Sequence, residues 1–468
     1  MVLLVKHPPG RDPERTYAFD VILREFLGLD YEAQPYSGSD ICITVVGDER
    51  QRQLSIADVL LALPEDQWLQ TGSLPVGPLA VWEPRDGGVD GLVPASVPVI
   101  YGRQKQGTMF EASENEAYLG VDIFGSAFFM LTRYEEFVSP DRDQFDRFPA
   151  SASLAFREGF LERPVINEYL EILWSALQRL WPELRRPARQ YRAFVTHDVD
   201  VLSLHGRSIT SVLGSVGIDL FKRREPALAV RRLGAYWKSR PGTGVADSDP
   251  YNTFDFLMDV SEESGLRDGF FFVTGNSNSG RDPTYDFGNQ SILSLLQRIH
   301  QRGHEIGFHG SFETYRDGGR SKSEVNRLRH ICDEAEIRQD QWGGRQHYLR
   351  WENPTTWQNW EECGLNYDST MGYAQQVGFR CGCCFEFPVF NLSTRERLRL
   401  RERPLVAMES SLLTYMKYSI ADTELKVNEL IDICRRYRGD FTLLWHNHML
   451  AARATQDAYR RIVRMAAP

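Results

Sequence analysis

From Tyr191 to the C-terminus, short and strongly apolar segments alternate with amphipathic ones, and this alternation constrains the fold more than any other feature of the chain. Residues 193–196, 269–274, 304–309, 345–349 and 441–446 read as core strands. Residues 291–302, 324–337 and 354–363 read as helices between them; Ile292, Leu295, Leu296 and Ile299 form one face of the first, which Gly303 ends. Such a succession predicts a parallel sheet or barrel with helices outside. Folds of that kind keep their chemistry at the carboxyl ends of the strands. The polar residues at those ends are therefore the candidate site.

The strand that opens at Tyr191 ends in Thr-His-Asp-Val-Asp. Side chains two apart in an extended segment point the same way, so Asp198 and Asp200 can face one site. The strand 304–309 ends in His309, with Glu313 four residues on. If the chain turns helically there, positions i and i+4 share a face and form a metal clamp. An Asp-x-Asp and a distant His-x-x-x-Glu suit a mononuclear divalent ion. His304 starts the same strand, faces away from its rim and reads as structural.

Length and composition narrow the class. A chain of 468 residues exceeds one comfortable core, so two domains are expected: an N-terminal mixed α/β domain of unknown role over 1–190 and a barrel over 191–468. In the first part, strands at 2–5, 41–46 and 97–101 accompany a helix at 18–29 and a buried helix after Asp122. An apolar stripe at Ile166, Leu170, Leu173, Leu177 and Leu180 marks a further helix, and a Pro- and Arg-rich linker follows at 181–190. The net charge of -10 argues against general nucleic-acid binding. Seven cysteines, an odd number, and an N-terminus that reads as a first strand favour a cytoplasmic setting. No apolar run is long enough to span a bilayer. Cys381, Cys383 and Cys384 form a cluster that is either a metal site or, without further ligands nearby, small core residues.

In order, Thr-His-Asp-Val-Asp, Gly-His-Glu-Ile-Gly-Phe-His, Arg345 opening a strand, Tyr-Asp-Ser-Thr at 367–370 and Leu-Leu-Trp-His at 443–446 resemble the five motifs of the polysaccharide deacetylases, the NodB-like members of carbohydrate esterase family 4. The resemblance covers roughly 191–450. Arg-Gln-His-Tyr-Leu-Arg and Met-Gly-Tyr-Ala…Gly-Phe-Arg, ending in Arg380, look like a subgroup with an N-terminal extension. The resemblance implies an irregular (β/α) barrel carrying one divalent ion, zinc by preference, and removal of acyl groups from amino sugars. It places Asp198 as general base, Asp200 and His309 as metal ligands, Arg345 as the residue holding Asp198, and His446 as the acid for the leaving amine. Asp368 would orient that histidine from behind. Arg350 competes with Arg345 for its role, and His347 and Tyr348 either line the same face or pack. Arg380 is a further candidate for substrate contact. The family usually has histidine where this chain has Glu313; as third ligand, glutamate adds a negative charge and raises the pKa of a bound water.

The expected activity is hydrolysis of an N-acetyl or related acyl group on a sugar or glycan precursor. Two other classes are compatible with the residues: a non-catalytic glycan-binding or assembly protein with a degenerate site at Glu313, and a hydrolase of a linear C–N bond in a non-sugar metabolite. Between the first two barrel strands, residues 221–240 interleave Lys222, Arg223, Arg224, Arg231, Arg232, Lys238 and Arg240 with Leu228, Leu233, Tyr236 and Trp237. This insertion reads either as a solvated outer helix or as a peripheral contact with a membrane or anionic lipid carrier.

Overall fold

The computed structural model of the protein describes residues 1–468 except 86–91, 205–208, 223, 239–248, 278 and 284–285. Of the basic insertion, Arg223 and Arg240 thus lie outside the described residues, and the side chains of Lys222 and Lys238 are not described. The chain divides into two compact units, one of Tyr191–Gly378 with Leu405–Pro468, the other of Met1–Gln190 with Phe379–Pro404. The sequence leads one to expect an uninterrupted domain over 191–468, whereas the contacts group 379–404 with the N-terminal residues.

Among its described residues, the unit that carries the polar strand ends has seven strands: β1 (Arg192–Val199), β2 (Asp268–Phe272), β3 (Glu305–Gly310), β4 (Gly343–Gln346), β5 (Tyr367–Asp368), β6 (Ala407–Met408) and β7 (Asp440–Leu444). They lie in the order β5-β4-β3-β2-β1-β7-β6, and every neighbouring pair is parallel. Among the described residues no pairing joins β6 to β5, so the sheet is open and the expected barrel is incomplete. Its strands are buried along almost their whole length, as a parallel sheet covered on both faces requires. The register sets Phe271 of β2 opposite Asp198 and Arg345 of β4 opposite His309. All candidate residues at strand ends thus fall at one edge of the sheet.

Helices α1 (Ile209–Gly217), α2 (Pro226–Lys238), α3 (Phe254–Glu263), α4 (Gln290–Gln301), α5 (Gly318–Glu334), α6 (Thr355–Glu362), α7 (Ile420–Arg436) and α8 (Arg453–Ala466) connect or flank these strands. Their starts follow local chemistry. Asn289 caps α4 by accepting from the Ser291 N–H at 2.9 Å, Asp317 caps α5 through the Arg320 N–H, and Ser419 with Asp422 forms a capping box on α7. The predicted apolar face of α4, with Ile292, Leu295, Leu296 and Ile299, is buried. Strand β4 is shorter than expected. It ends at Gln346, and Tyr348 and Leu349 both take left-handed φ values, 62° and 56°, in the turn that follows.

The other unit has a six-stranded mixed sheet in the order Tyr31–Pro35, Leu3–His7, Ile41–Val45, Gln53–Ile56, Glu116–Leu119, Phe110–Ala112. The apolar helix Ile123–Leu131 is wholly buried. Asp122 caps it, accepting from the Gly125 N–H at 2.8 Å and from the Val59 and Leu60 N–H groups at 2.9 Å. The antiparallel hairpin Phe387–Asn391 and Glu396–Glu402 is fastened to this unit by the Tyr17 hydroxyl, which donates to the Pro388 carbonyl at 2.8 Å, and by an Arg395–Glu14 ion pair at 2.7 Å. These contacts join residues more than 370 positions apart, so no local pattern could announce them. Cys384 donates its N–H to Asn167 at 3.0 Å, and all seven cysteines are buried and unbridged. The trio at 381–384 is core.

Leu296 is fully buried on α4. Leu296→Ala should destabilise the protein by about 2–5 kcal/mol, the usual cost of a core truncation, whereas the exposed Leu425→Ala should change stability by less than about 0.5 kcal/mol. Urea unfolding midpoints of the two variants measure the difference.

Candidate metal centre

Three side chains bring a ligand atom each to within 4.8 Å of one another: Asp200, His309 and His347. Asp200 follows β1, His309 lies in β3, and His347 follows β4. The Nε2 atoms of His309 and His347 stand 3.3 and 3.5 Å from Asp200 Oδ1. Donors about 2.0–2.1 Å from a tetrahedral ion are about 3.3 Å from each other, so this spacing suits zinc. Asp200 Oδ1 and His309 Nε2 are buried without a hydrogen-bond partner, the condition of atoms built to meet an ion. The residues present therefore fit a divalent metal.

Each imidazole is aimed from behind. His309 donates its Nδ1–H to the Arg345 carbonyl at 2.8 Å, which leaves the lone pair on Nε2. His347 Nδ1 faces Asp282 Oδ1 at 3.3 Å. Asp282, fully buried in its side chain, also accepts from the Ser277 N–H at 2.7 Å and the Phe312 N–H at 2.6 Å. Burial pushes the Asp282 carboxyl up, and His347, Ser277 and Phe312 together more than reverse that, holding it well below the usual carboxylate range. It stays an anion that orients His347. Burial likewise opposes ionisation of Asp200, and the surrounding His347, His309 and His446 outweigh it, so Asp200 too is held ionised.

Asp198, 3 % exposed, sits beside this group with Oδ2 at 3.8 Å from His309 Nε2. Its other oxygen accepts from Arg345 Nη1 at 2.8 Å. The Arg345 guanidinium is fully buried and gives three further donors to Thr196 Oγ1 at 3.0 Å, the Ser369 carbonyl at 2.8 Å and Ser369 Oγ at 3.0 Å. His446 follows β7 with Nε2 at 3.4 Å from Asp200 Oδ2 and Nδ1 at 2.6 Å from Glu409 Oε1. Burial pulls this imidazole down, and Glu409, Asp200 and Asp198 lift it further, to about 10. His446 is thus a cation near neutral pH, backed by a carboxylate with no exposed surface.

Several expectations are corrected. Glu313 does not join the group: its side chain is 43 % exposed and pairs with Arg350 at 3.2 Å. The chain stays extended through Gly310 instead of turning helically after His309, so the i, i+4 face assumed for Glu313 does not exist. Histidine 347 takes the third place, two residues beyond Arg345 at the end of an extended segment. Arg350 does not compete for Asp198; it lies over the Phe312 and Tyr315 rings, 3.9 Å from each centroid. Asp368 does not back His446. It accepts from the Thr370 N–H at 3.0 Å and is pushed up to about 7 by burial, bracing the turn after β5, while Glu409 holds the histidine. Arg380 lies in the other unit, in a buried ion pair with Glu136. Tyr348 packs edge-on against His347 at 4.7 Å and Phe312 at 5.3 Å between ring centroids. His304, as expected, points away: it accepts the Asp268 N–H at 2.9 Å and meets Glu262 at 3.0 Å.

Residues 3–182 match a family model described as a family of unknown function, DUF7033. No curated protein matches the chain. Among solved structures, one assigned as a polysaccharide deacetylase from Mycobacterium smegmatis is 14 % identical, covering 60 % of this chain and 85 % of its own, with a TM-score of 0.37. An allantoinase is 11 % identical over 59 % and 84 %, with a TM-score of 0.36. A polysaccharide deacetylase assignment from Pseudomonas aeruginosa is 11 % identical over 60 % and 88 %, with a TM-score of 0.35. The functional reading below rests on the residues of the site.

His347→Ala should abolish stoichiometric zinc binding, and Asp282→Asn should weaken it about 10–100-fold through the loosened imidazole. Glu313→Gln should leave it unchanged. Zinc titration followed by calorimetry on the three proteins checks the order.

Proposed function

We propose that this protein is a metal-dependent hydrolase that cleaves a C–N bond, removing an N-acetyl or related acyl group from a sugar or glycan precursor. The observation that carries the reading is the pairing of a three-donor group with two differently prepared proton carriers, an arginine-held carboxylate 3.8 Å from His309 and a glutamate-backed histidine 3.4 Å from Asp200. A divalent ion held by Asp200, His309 and His347 would polarise the acyl oxygen and acidify a water.

The chain's own residues supply the rest. Arg345 keeps Asp198 oriented, so its free oxygen can take the proton of the attacking water. His446, charged and hydrogen-bonded to Glu409, can return a proton to the departing amine nitrogen. Asp198 is held by Arg345 and His446 by Glu409. A leaving amine needs such a proton, whereas a leaving alcohol needs it less, and this favours N-acyl over O-acyl substrates. The substitution that suggested a degenerate, non-catalytic barrel was Glu313 in a ligand position. With Glu313 paired to Arg350 and His347 in the group, that argument lapses.

Asp198→Asn should lower acetate release from N-acetylated sugars by about 10²–10⁴-fold while zinc content stays near that of the wild type. Loss of zinc in this variant, or full activity, would remove Asp198 from the base position. Glu409→Gln tests the acid. His446 must be protonated to act, so activity falls as pH rises through its pKa. Removing the Glu409 charge lowers that pKa, and the basic limb of the pH–rate profile should move to lower pH. A profile that does not move would mean another group donates the proton.

A further inference from the structure

We propose that the helical hairpin formed by α1 and α2 is a docking surface for an anionic lipid bilayer. The hairpin lies between β1 and β2. One face of it is an ordinary core: Val212 and Val216 of α1 meet Ala229 and Ala235 of α2, with Leu204 and Tyr251 beneath. A buried ion pair, Arg232 to Asp219 at 2.8 Å with both side chains at most 2 % exposed, fastens the two arms. The hairpin needs no further apolar surface to hold its place.

It nevertheless carries a second apolar set on the outside. Phe221 at the tip is 86 % exposed, Trp237 76 %, Val230 70 %, Leu213 52 %, Ile218 47 % and Leu220 42 %. Val230 and Trp237 are seven residues apart on α2, about two turns, and so share one face. Exposed single hydrophobes are common, but six on one hairpin, two of them aromatic, are not. No helix among the described residues is long and apolar enough to cross a membrane, so insertion here would be shallow.

Charge selects the occupant. From 209 to 238 the sequence has six cations against two acids, in a chain whose net charge is -10. Asp219 is consumed by Arg232, and Glu225 is only half-buried and faces the Arg453 N–H at 3.4 Å. Arg224 follows the tip, Arg231 adjoins Val230, and both are exposed. Cations beside exposed aromatic residues match the interface of a bilayer with anionic headgroups, where rings sit at the boundary and arginines meet phosphates. A second copy of the chain would meet the same positive charge and repel. This surface stands independently of the reaction proposed above, and its failure would leave that reading intact.

The test is sedimentation of the full-length protein with phosphatidylcholine vesicles containing about 30 % phosphatidylglycerol, against pure phosphatidylcholine. The wild type should bind the anionic vesicles, and less so as salt rises from about 0.1 M to about 0.5 M. Phe221→Ser with Trp237→Ser should lower partitioning at least about tenfold, with near-ultraviolet circular dichroism otherwise retained. Arg231→Glu should weaken binding to the anionic vesicles without an apolar change. The proposal is overturned if the wild type ignores anionic vesicles, or if both variants bind as the wild type does. It is equally overturned if the serine variant dissociates a dimer while neither form binds lipid.

Discussion

A guanidinium without solvent contact joins three strand ends at the edge of the sheet. Arg345, at the end of β4, reaches Thr196 and Asp198 on β1 and the backbone and hydroxyl of Ser369 after β5, while its own carbonyl receives His309 from β3. A buried charge of this kind is tolerated only when paired and fully hydrogen-bonded, and removing one partner of such a pair typically costs about 3–5 kcal/mol. The three-donor group inherits its geometry from this arrangement. Asp198 is held away from the ligand position, Asp200 is left to fill it, and His309 is fixed in the tautomer that offers Nε2. Asp198 and Asp200, two residues apart, take different partners because the strand points both side chains the same way while Arg345 claims only the first.

The same logic recurs in the two other histidines. Asp282 stands behind His347, and Glu409 behind His446, each a buried carboxylate on Nδ1. The consequences differ with what lies in front. His347 meets the shared ligand oxygen of Asp200 and can serve a metal, whereas His446 meets the other Asp200 oxygen and stays charged, ready to give up a proton. Four carboxylates in one small site have thus been assigned separate tasks by their partners.

Much of this was readable from the residues. Apolar strands with polar ends predicted the parallel sheet, and the two-residue period put Asp198 and Asp200 on one side. Glu313 lies off the group because the strand runs on through Gly310 past His309, so the i, i+4 spacing of a helix does not hold there. The same two-residue period, carried from Arg345 to His347, would have found the third donor; reading the strand on to 349 obscured the turn that ends it at Gln346. Glu409 had a faint signal as a buried acid after Leu-Val-Ala-Met. Asp282 had none, since it lies in a loop and is brought to His347 only by tertiary packing. The assignment of 379–404 to the N-terminal unit rests on contacts across hundreds of residues, which no local pattern encodes.

The central claim is that the metal is held by Asp200, His309 and His347. Anomalous diffraction at the zinc edge, from crystals grown with equimolar zinc, tests it most directly. The account predicts one strong peak about 2.0–2.2 Å from Asp200 Oδ1 and the Nε2 atoms of both histidines, with Glu313 still on Arg350. A peak coordinated by Glu313 in place of His347, or no peak at this group in the presence of zinc, would contradict it.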